Sequence, residues 1–393
     1  MSKCAYCGNN PVPHFVNWVN ESISVLMLPL NQALLGGKFG KRFFKYLEVI
    51  FSPLVYLLEK TKVLTYGDEM SNKTSSRAEV LWTEAKRRGI TMQCVKVFGK
   101  ENDSYRVKIN DRWIYFSGLP RPDYMPGTAE WWMDDKGLVK QKLSDAGIPV
   151  PKGGSFSSYQ KLRKAFQTLE KPVIIKPRLG SRGRHTTTYI YNEEQLKKAF
   201  KVAKQLCYWV VMEEHLIGSV YRGTMIDGRF TGNLRGDPPR VTGDGEHTIR
   251  ELIEIKNQNK HPEIHNVVVK PQMDIFLARN NRSLDDVLPD GITVDLSEKI
   301  GVSYGGNSGE DTDKTHPEII TILEAAAAVI GDPMIGFDFI IEYVDQSPHT
   351  QKWGIIECNG VPFINLHHDP IEGPSNNVAQ WVWNFVEKNE HYY

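Results

Sequence analysis

Short runs rich in β-branched residues alternate with helix-like segments along most of this 393-residue chain, and glycine or proline separates them. Such mixing predicts a body of the α+β or α/β class, in which helices cover sheets. The length suggests two or three domains. We expect a helix-prone, apolar and basic extension over 1–62, a small α/β domain over 63–133, and a larger mixed domain over 134–393.

The expected elements follow from local sequence signals. In the middle block, a strand VLTYG precedes a helix over 75–88 and three strands over 91–98, 105–109 and 112–118. In the last block, we expect helices over 134–147, 193–206 and 317–331, and strands over 173–176, 208–213, 337–343 and 353–360.

Charge and cysteine content exclude some classes of protein. The chain has 48 Lys and Arg against 47 Asp and Glu, so no global positive field would hold nucleic acid. Five scattered cysteines indicate a reducing compartment, and the polar start MSKCAYCGNN lacks a secretory signal. We expect a cytoplasmic protein.

The extension has two interpretations. Its most apolar stretch, Val49–Leu58, is too short to span a membrane and contains Pro53. Residues 1–62 carry seven Lys and Arg against three Glu, a net charge of +4, which would suit a membrane surface. Packing on the body or on a second subunit is the favoured interpretation, because soluble proteins usually bury such apolar stripes.

Cys4 and Cys7, with His14, form half of a possible zinc site. Structural zinc needs four ligands, and the sequence has no second CxxC pair to complete the set. The sequence therefore favours the absence of a metal, unless a dimer completes the site.

Residues 173–186, VIIKPRLGSRGRHT, place Lys176 at the end of a strand before a glycine- and arginine-rich loop. Glycine allows close approach of the backbone to a phosphate, and the arginines add positive charge. The spacing is not that of a P-loop. Taken alone, the segment suits a solvated turn at least as well as a phosphate site.

Asp338, Glu357 and Asn359 lie on two strand-like segments near the carboxyl end. Glu357 and Asn359 are two residues apart and so share one face of their strand. Carboxylate and amide oxygens suit Mg²⁺, although strand-end carboxylates facing water are the alternative. Cys358 should point to the opposite face. A further strand-like run, 210–222, offers backbone groups for a purine or is an ordinary core strand.

The order of these motifs resembles the ATP-grasp superfamily of carboxylate–amine ligases over about 134–393. It is most similar to the ATP-grasp modules of cyanophycin synthetases and bifunctional glutathione synthetases. Three long strings carry the resemblance: VTGDGEHTIRELIE at 241–254, SEKIGVSYGGNSGEDTDKTHPE at 297–318, and ECNGVPFINLHHDPIEGPSNNVA at 357–379.

The resemblance implies an ATP-grasp fold, in which two α+β subdomains clasp ATP, and it implies site residues. The implied phosphate-binding lysines are Lys136 and Lys176. The implied loop over the phosphates contains Gly180, Ser181, Gly183 and Arg184. The implied adenine hinge is formed by Glu213, Glu214, His215 and Leu216. The Mg²⁺ ligands are Asp338, Glu357 and Asn359, with Mn²⁺ as an alternative ion; Arg222, Arg235 and Lys299 lie near the γ-phosphate and carboxylate; His367 and Pro370 shape the acceptor side.

Three positions depart from the family pattern. Val220 occupies the place of an acidic residue that holds the ribose, Gly336 that of an arginine, and His185 that of a glycine closing the loop. None of these removes a metal ligand or a phosphate lysine, so we expect a competent site.

The implied activity is ATP-dependent amide formation through an acyl phosphate, with release of ADP and phosphate. Its substrates would be amino acids or peptides, and the enzyme would be a homo-oligomer without a nucleic-acid partner. The alternatives are an ATP-grasp phosphotransferase that forms no amide, and a nucleotide-binding regulatory or scaffold protein docked through 1–62.

Overall fold

The computed structural model describes residues 4, 6–7, 11–35, 53–122, 132–180 and 183–393. Its first helix, α1, spans His14–Leu35, and residues 53–60 are helical as α2. Helix α1 packs on the body: Val25 contacts Leu179 and Cys207, and Asn17 Nδ2 donates to the Leu206 carbonyl at 3.2 Å. Within these ranges, no helix combines the length and apolar character needed to cross a bilayer. Residues 49–52 of the apolar stretch lie outside them.

The front unit is a four-stranded antiparallel sheet with one helix. It contains β1 (Leu64–Gly67), α3 (Ser76–Arg87), β2 (Thr91–Val97), β3 (Lys100–Ile109) and β4 (Arg112–Ser117), and its strand order is β1-β2-β3-β4. Gly99, Asn110 and Asp111 have positive φ, which suits the tight turns that join β2 to β3 and β3 to β4. Each strand expected in this block is present.

A second four-stranded sheet, in the order β5-β8-β6-β7, is also antiparallel. The helix before this sheet, α4, is capped at its N-terminus by Asp135, whose side chain accepts hydrogen bonds from the amides of Gly137 and Leu138. The elements are α4 (Lys136–Asp145), β5 (Gly153–Phe156), α5 (Tyr159–Thr168), β6 (Val173–Pro177), β7 (Thr187–Ile190), α6 (Glu193–Ala203) and β8 (Val210–Glu214).

The third sheet has five strands in the order β13-β10-β9-β14-β15. These are β9 (Ser219–Ile226), β10 (Arg229–Gly236), β13 (Ser308–Glu310), β14 (Met334–Ile341) and β15 (Gly354–Asn359). Between β10 and β13, the chain forms a lobe of β11 (Arg240–Thr242), α7 (Ile249–Asn259), α8 (Pro271–Arg279) and β12 (Thr293–Asp295). Helix α9 (Pro317–Ile330) covers the sheet, and α10 (Asn365–His368) and α11 (Val378–Lys388) follow it.

Helix α11 completes the core of the front unit. Trp383 is fully buried, and its Nε1 donates to the Leu81 carbonyl of α3 at 2.9 Å. The same cluster includes Tyr105 of β3 and Met334 of β14. The front sheet and the carboxyl end of the chain therefore share one hydrophobic core, although the sequence places them in separate blocks.

Candidate active site

A cavity of about 1390 Å³ is lined by the second and third sheets and by the loop after β6. Most side chains expected at a nucleotide site line it, although they come from distant parts of the chain. They are Lys136, Lys176, Gly180, Gly183, Arg184, Glu213, Glu214, His215, Leu216, Arg222, Lys299, Asp338, Glu357 and Asn359. Ser181 lies outside the described residues.

The loop after β6 is held from several sides. Arg178 Nε donates to the Asp135 carboxylate at 2.9 Å, and Lys136 Nζ donates to the Gly180 carbonyl at 2.5 Å. Lys299 Nζ donates to the carbonyl of Gly183. Gly180 has a φ of 109°, and a Cβ added there would meet nothing within 4 Å. Its backbone is therefore open to a ligand, in a conformation that favours glycine.

A buried cluster of three charges stands beside this loop. The Glu213 carboxylate lies 3.1 Å from Lys176 Nζ and also contacts Lys140 Nζ. Burial opposes ionisation of Glu213, but the two lysines outweigh it and lower its pKa. Burial also lowers the pKa of Lys140, to about 7, and the nearby Lys176 adds to the effect. Glu213 thus holds Lys176 in place electrostatically.

Lys140 is a residue that the sequence analysis missed. It lies on α4, four residues after Lys136, and so shares that residue's face of the helix. This i, i+4 spacing was the only available signal.

The oxygen-bearing residues meet on adjacent strands. Asp338 of β14 is in register with Glu357 of β15 and with Arg222 of β9. Arg222 binds the Asp338 carboxylate through two hydrogen bonds, at 2.6 and 2.8 Å. Burial disfavours the charge of Arg222, but Asp338 more than offsets this and raises its pKa. Cys358 is buried on the opposite face of β15, as the alternation predicted.

The donor set suits a hard divalent cation. Asp338 and Glu357 supply carboxylate oxygens, and Asn359 supplies an amide on the same face. The buried Asn359 Nδ2 has no hydrogen-bond partner in the described part of the chain. The amide oxygen of Asn359, not this nitrogen, would ligate a cation, and Nδ2 remains a donor for another group in the cavity.

The expected adenine hinge comprises the last two residues of β8 and the two residues after it, and β8 is paired on both sides, by β5 and β6. The His215 ring packs on Tyr189 with centroids 4.3 Å apart, and burial lowers its pKa to about 4. Its Nδ1 is buried without a partner among the described residues. The imidazole is therefore neutral at pH 7 and has one polar atom available to a ligand.

The position at which the resemblance implies a ribose contact lacks an acidic residue but has another carboxylate nearby. Val220 lines the cavity and pairs with Ile340. Ser219 pairs with Ile341, so Glu342 lies beside Gly218, at the end of the hinge. Glu342 also lines the cavity. The sequence alone does not indicate that Glu342 lies here, because its position depends on the pairing of β14 with β9.

Arg235 points away from the cavity. It is in register with Tyr221, whereas its neighbour Leu234 is in register with Arg222, so the two arginines face opposite sides of the sheet. Its guanidinium contacts Glu372 and lies 3.3 Å from the Asp311 carboxylate.

His367 is fully buried rather than exposed to the cavity. Its Nδ1 lies 2.5 Å from the Glu310 carboxylate and its Nε2 lies 2.8 Å from Thr224 Oγ1. Pro370 is half-buried in the segment after α10 and does not line the cavity. The structure thus places His367 beside the third sheet, behind the cavity wall.

Comparison with known proteins shows which proteins this chain is similar to. No family model matches the chain. A stretch of 261 residues, 64% of the chain, is 32% identical to the cyanophycin synthetase of Crocosphaera subtropica and covers 30% of that protein. The bifunctional glutathione biosynthesis protein GshAB of Listeria innocua is 26% identical over 352 residues, which are 87% of this chain and 45% of that one.

A bifunctional glutathione synthetase from Pasteurella multocida has the same fold. Its crystal structure matches with a TM-score of 0.53 and 24% identity, over 80% of this chain and 44% of that one. The chain spans less than half the length of each of these relatives. These similarities confirm the resemblance seen in the sequence, and the fold of this chain is that of the ATP-grasp ligases.

Proposed function

We propose that this chain is an ATP-dependent carboxylate–amine ligase that forms an amide through an acyl phosphate. The observation that carries the proposal is the meeting, in one cavity, of two lysines, a glycine loop and an oxygen-rich trio. The cyanophycin synthetases and glutathione synthetases that it resembles support an amino-acid or peptide carboxylate and an amino-acid amine as substrates.

The reaction has two steps. A carboxylate oxygen of the first substrate attacks the γ-phosphorus of ATP, and the bond to ADP breaks. The nitrogen of the second substrate then attacks the acyl carbon, the C–N bond forms, and phosphate leaves as the amine loses a proton to solvent. No protein nucleophile is needed, so the chain contributes charge, alignment and exclusion of water.

The cavity residues divide this work by position. Lys136 and Lys176 would hold the ATP phosphates, and the loop from Gly180 to Arg184 would cover them. Asp338, Glu357 and Asn359 would hold Mg²⁺, which supplies charge neutralisation at phosphate oxygens when bound. Arg222 and Lys299 would face the acyl phosphate.

Three residues with implied roles, Arg235, His367 and Pro370, do not line the cavity. Arg235 links β10 to Glu372, and His367 links β13 to β9 through Glu310 and Thr224. We propose that both position the acceptor side rather than touch the substrate, and that Pro370 shapes the loop that follows.

The decisive assay measures ADP release and product mass across pairs of amino acids and short peptides, with Mg²⁺ or Mn²⁺. Lys176→Ala and Glu357→Ala should each lower amide formation by at least about 100-fold. Lys164→Ala and Glu254→Ala, at exposed positions outside the cavity, are the matched controls and should keep normal rates.

Hydroxylamine trapping separates the candidate activities. A ligase converts its activated acid to a hydroxamate, whereas transfer to an alcohol gives a stable phosphate ester. A phosphate ester as the sole product would replace the proposal with a phosphotransferase. ATP binding without turnover on any pair would favour a regulatory protein.

A further inference from the structure

Four metal-binding side chains meet at the edge of the glycine loop, outside the proposed reaction site. Cys4 and Cys7 come from the first turn, His14 begins α1, and His185 follows the loop. Their ligand atoms all lie within 4.8 Å of one another. His185 lies 181 residues after Cys4 in the chain. It is the fourth ligand that the pattern around Cys4 and Cys7 did not reveal.

Three of the sulfur–nitrogen distances are close to those of a tetrahedral zinc centre. His185 Nε2 lies 3.5 Å from Cys4 Sγ and 3.4 Å from Cys7 Sγ, and His14 Nε2 lies 3.3 Å from Cys7 Sγ. A tetrahedral zinc with bonds of about 2.3 Å to sulfur and about 2.0 Å to nitrogen has sulfur–nitrogen edges of about 3.5 Å. A small shift of each side chain would therefore bring the four ligand atoms to bonding distance from one ion.

The His185 imidazole is oriented for coordination. Its Nδ1 lies 2.8 Å from the Val202 carbonyl, an acceptor only, so Nδ1 carries the proton and the Nε2 lone pair points at the thiols. Such a carbonyl partner commonly fixes a metal-binding histidine. The His185 amide also donates to the Tyr6 carbonyl at 3.1 Å, which ties the two segments together.

We propose that Cys4, Cys7, His14 and His185 bind one structural Zn²⁺. Two thiolates and two imidazoles fill all four positions, so the ion has no open position for catalysis. The centre joins the amino-terminal turn and α1 to the end of the glycine loop, directly after Arg184. It explains why this chain has histidine where the family pattern closes the loop with glycine.

The test measures metal in the full-length protein, purified under reducing conditions. We expect about one zinc per chain, and Co²⁺ replacement should give the visible bands of a tetrahedral thiolate site. Cys7→Ser and His185→Asn should each weaken zinc binding by more than about 100-fold, more than loss of an outer partner does. Cys94→Ala and His349→Asn, outside the cluster, should bind zinc normally.

A measurement on the unaltered chain protects the test against variants that fail to fold. After removal of metal with a chelator, zinc should rebind in competition with a chromophoric chelator in the nanomolar range or tighter. Hydrogen exchange at residues 183–190 should slow when zinc is added. Failure to bind zinc after reduction, a Cys4–Cys7 disulfide in the purified protein, or normal binding by Cys7→Ser would overturn the proposal.

Discussion

Replacing Glu213 with glutamine should destabilise the protein strongly, because its carboxylate is shared by two buried ammonium groups. Glu213 is 2% exposed, with Lys176 at 3.1 Å and Lys140 in contact. At an effective dielectric constant of about 20, one such attraction across 3.1 Å amounts to about 5 kcal/mol. Removing one member of a buried ion pair typically costs about 3–5 kcal/mol. We expect Glu213→Gln to lose about that much free energy of unfolding.

The neighbouring residue provides the control. Glu214 is also buried, but its partner Lys352 is half-exposed and can return to water. Glu214→Gln keeps an oxygen for the Lys152 amide and should cost about 1 kcal/mol or less. The assay is urea unfolding followed by tryptophan fluorescence and circular dichroism.

A second variant tests the electrostatic reasoning itself. Adding Lys140→Met to Glu213→Gln removes one of the two cations left unpaired, and about half of the lost stability should return. ATP should also protect Glu213→Gln more than the wild type, since its phosphates supply the missing negative charge. Equal losses for Glu213→Gln and Glu214→Gln, or no recovery in the double variant, would refute the account.

Three further predictions concern single residues. The pKa of His215 is lowered to about 4 from 6.5, so the folded state resists protonation of its ring. The free energy of unfolding should therefore fall as the pH drops from 6.5 towards 4, by up to about 2 kcal/mol at pH 5. His215→Asn should remove that part of the pH dependence in acid-unfolding curves. Glu342→Gln should raise the KM for ATP several-fold with little change in kcat, and an unchanged KM would exclude a ribose contact. Trp383→Ala should cost about 3–5 kcal/mol in urea unfolding, and Trp381→Ala, only partly buried, clearly less.

The sequence predicted the strands and helices well because their signals are local. The β-branched run before Pro177 and the Asp135 cap before α4 need no tertiary context. The shared face of Glu357 and Asn359 was also predictable, since a spacing of two residues on one strand fixes it.

What the sequence missed depends on which strands become neighbours. The opposed directions of Arg222 and Arg235 follow from the register of β9 and β10, which no local pattern contains. Glu342 reaches the end of the hinge only because β14 pairs with β9. His185 completes the cysteine cluster because α1 folds back over Leu206 and Cys207.

Because α3 and α11 share one core, the front unit cannot complete its packing until the end of the chain has been synthesised. The strands of the front sheet leave the ribosome about 270 residues before α11, whose Trp383 closes their core. At about 5–20 residues per second, those strands wait on the order of 15–50 s for their final packing partner. During that interval the apolar face formed by Leu81, Tyr105 and Val107 has no cover from α11. The front unit is thus made well before its core is complete, and its apolar face is open to chaperones that bind nascent chains during that interval.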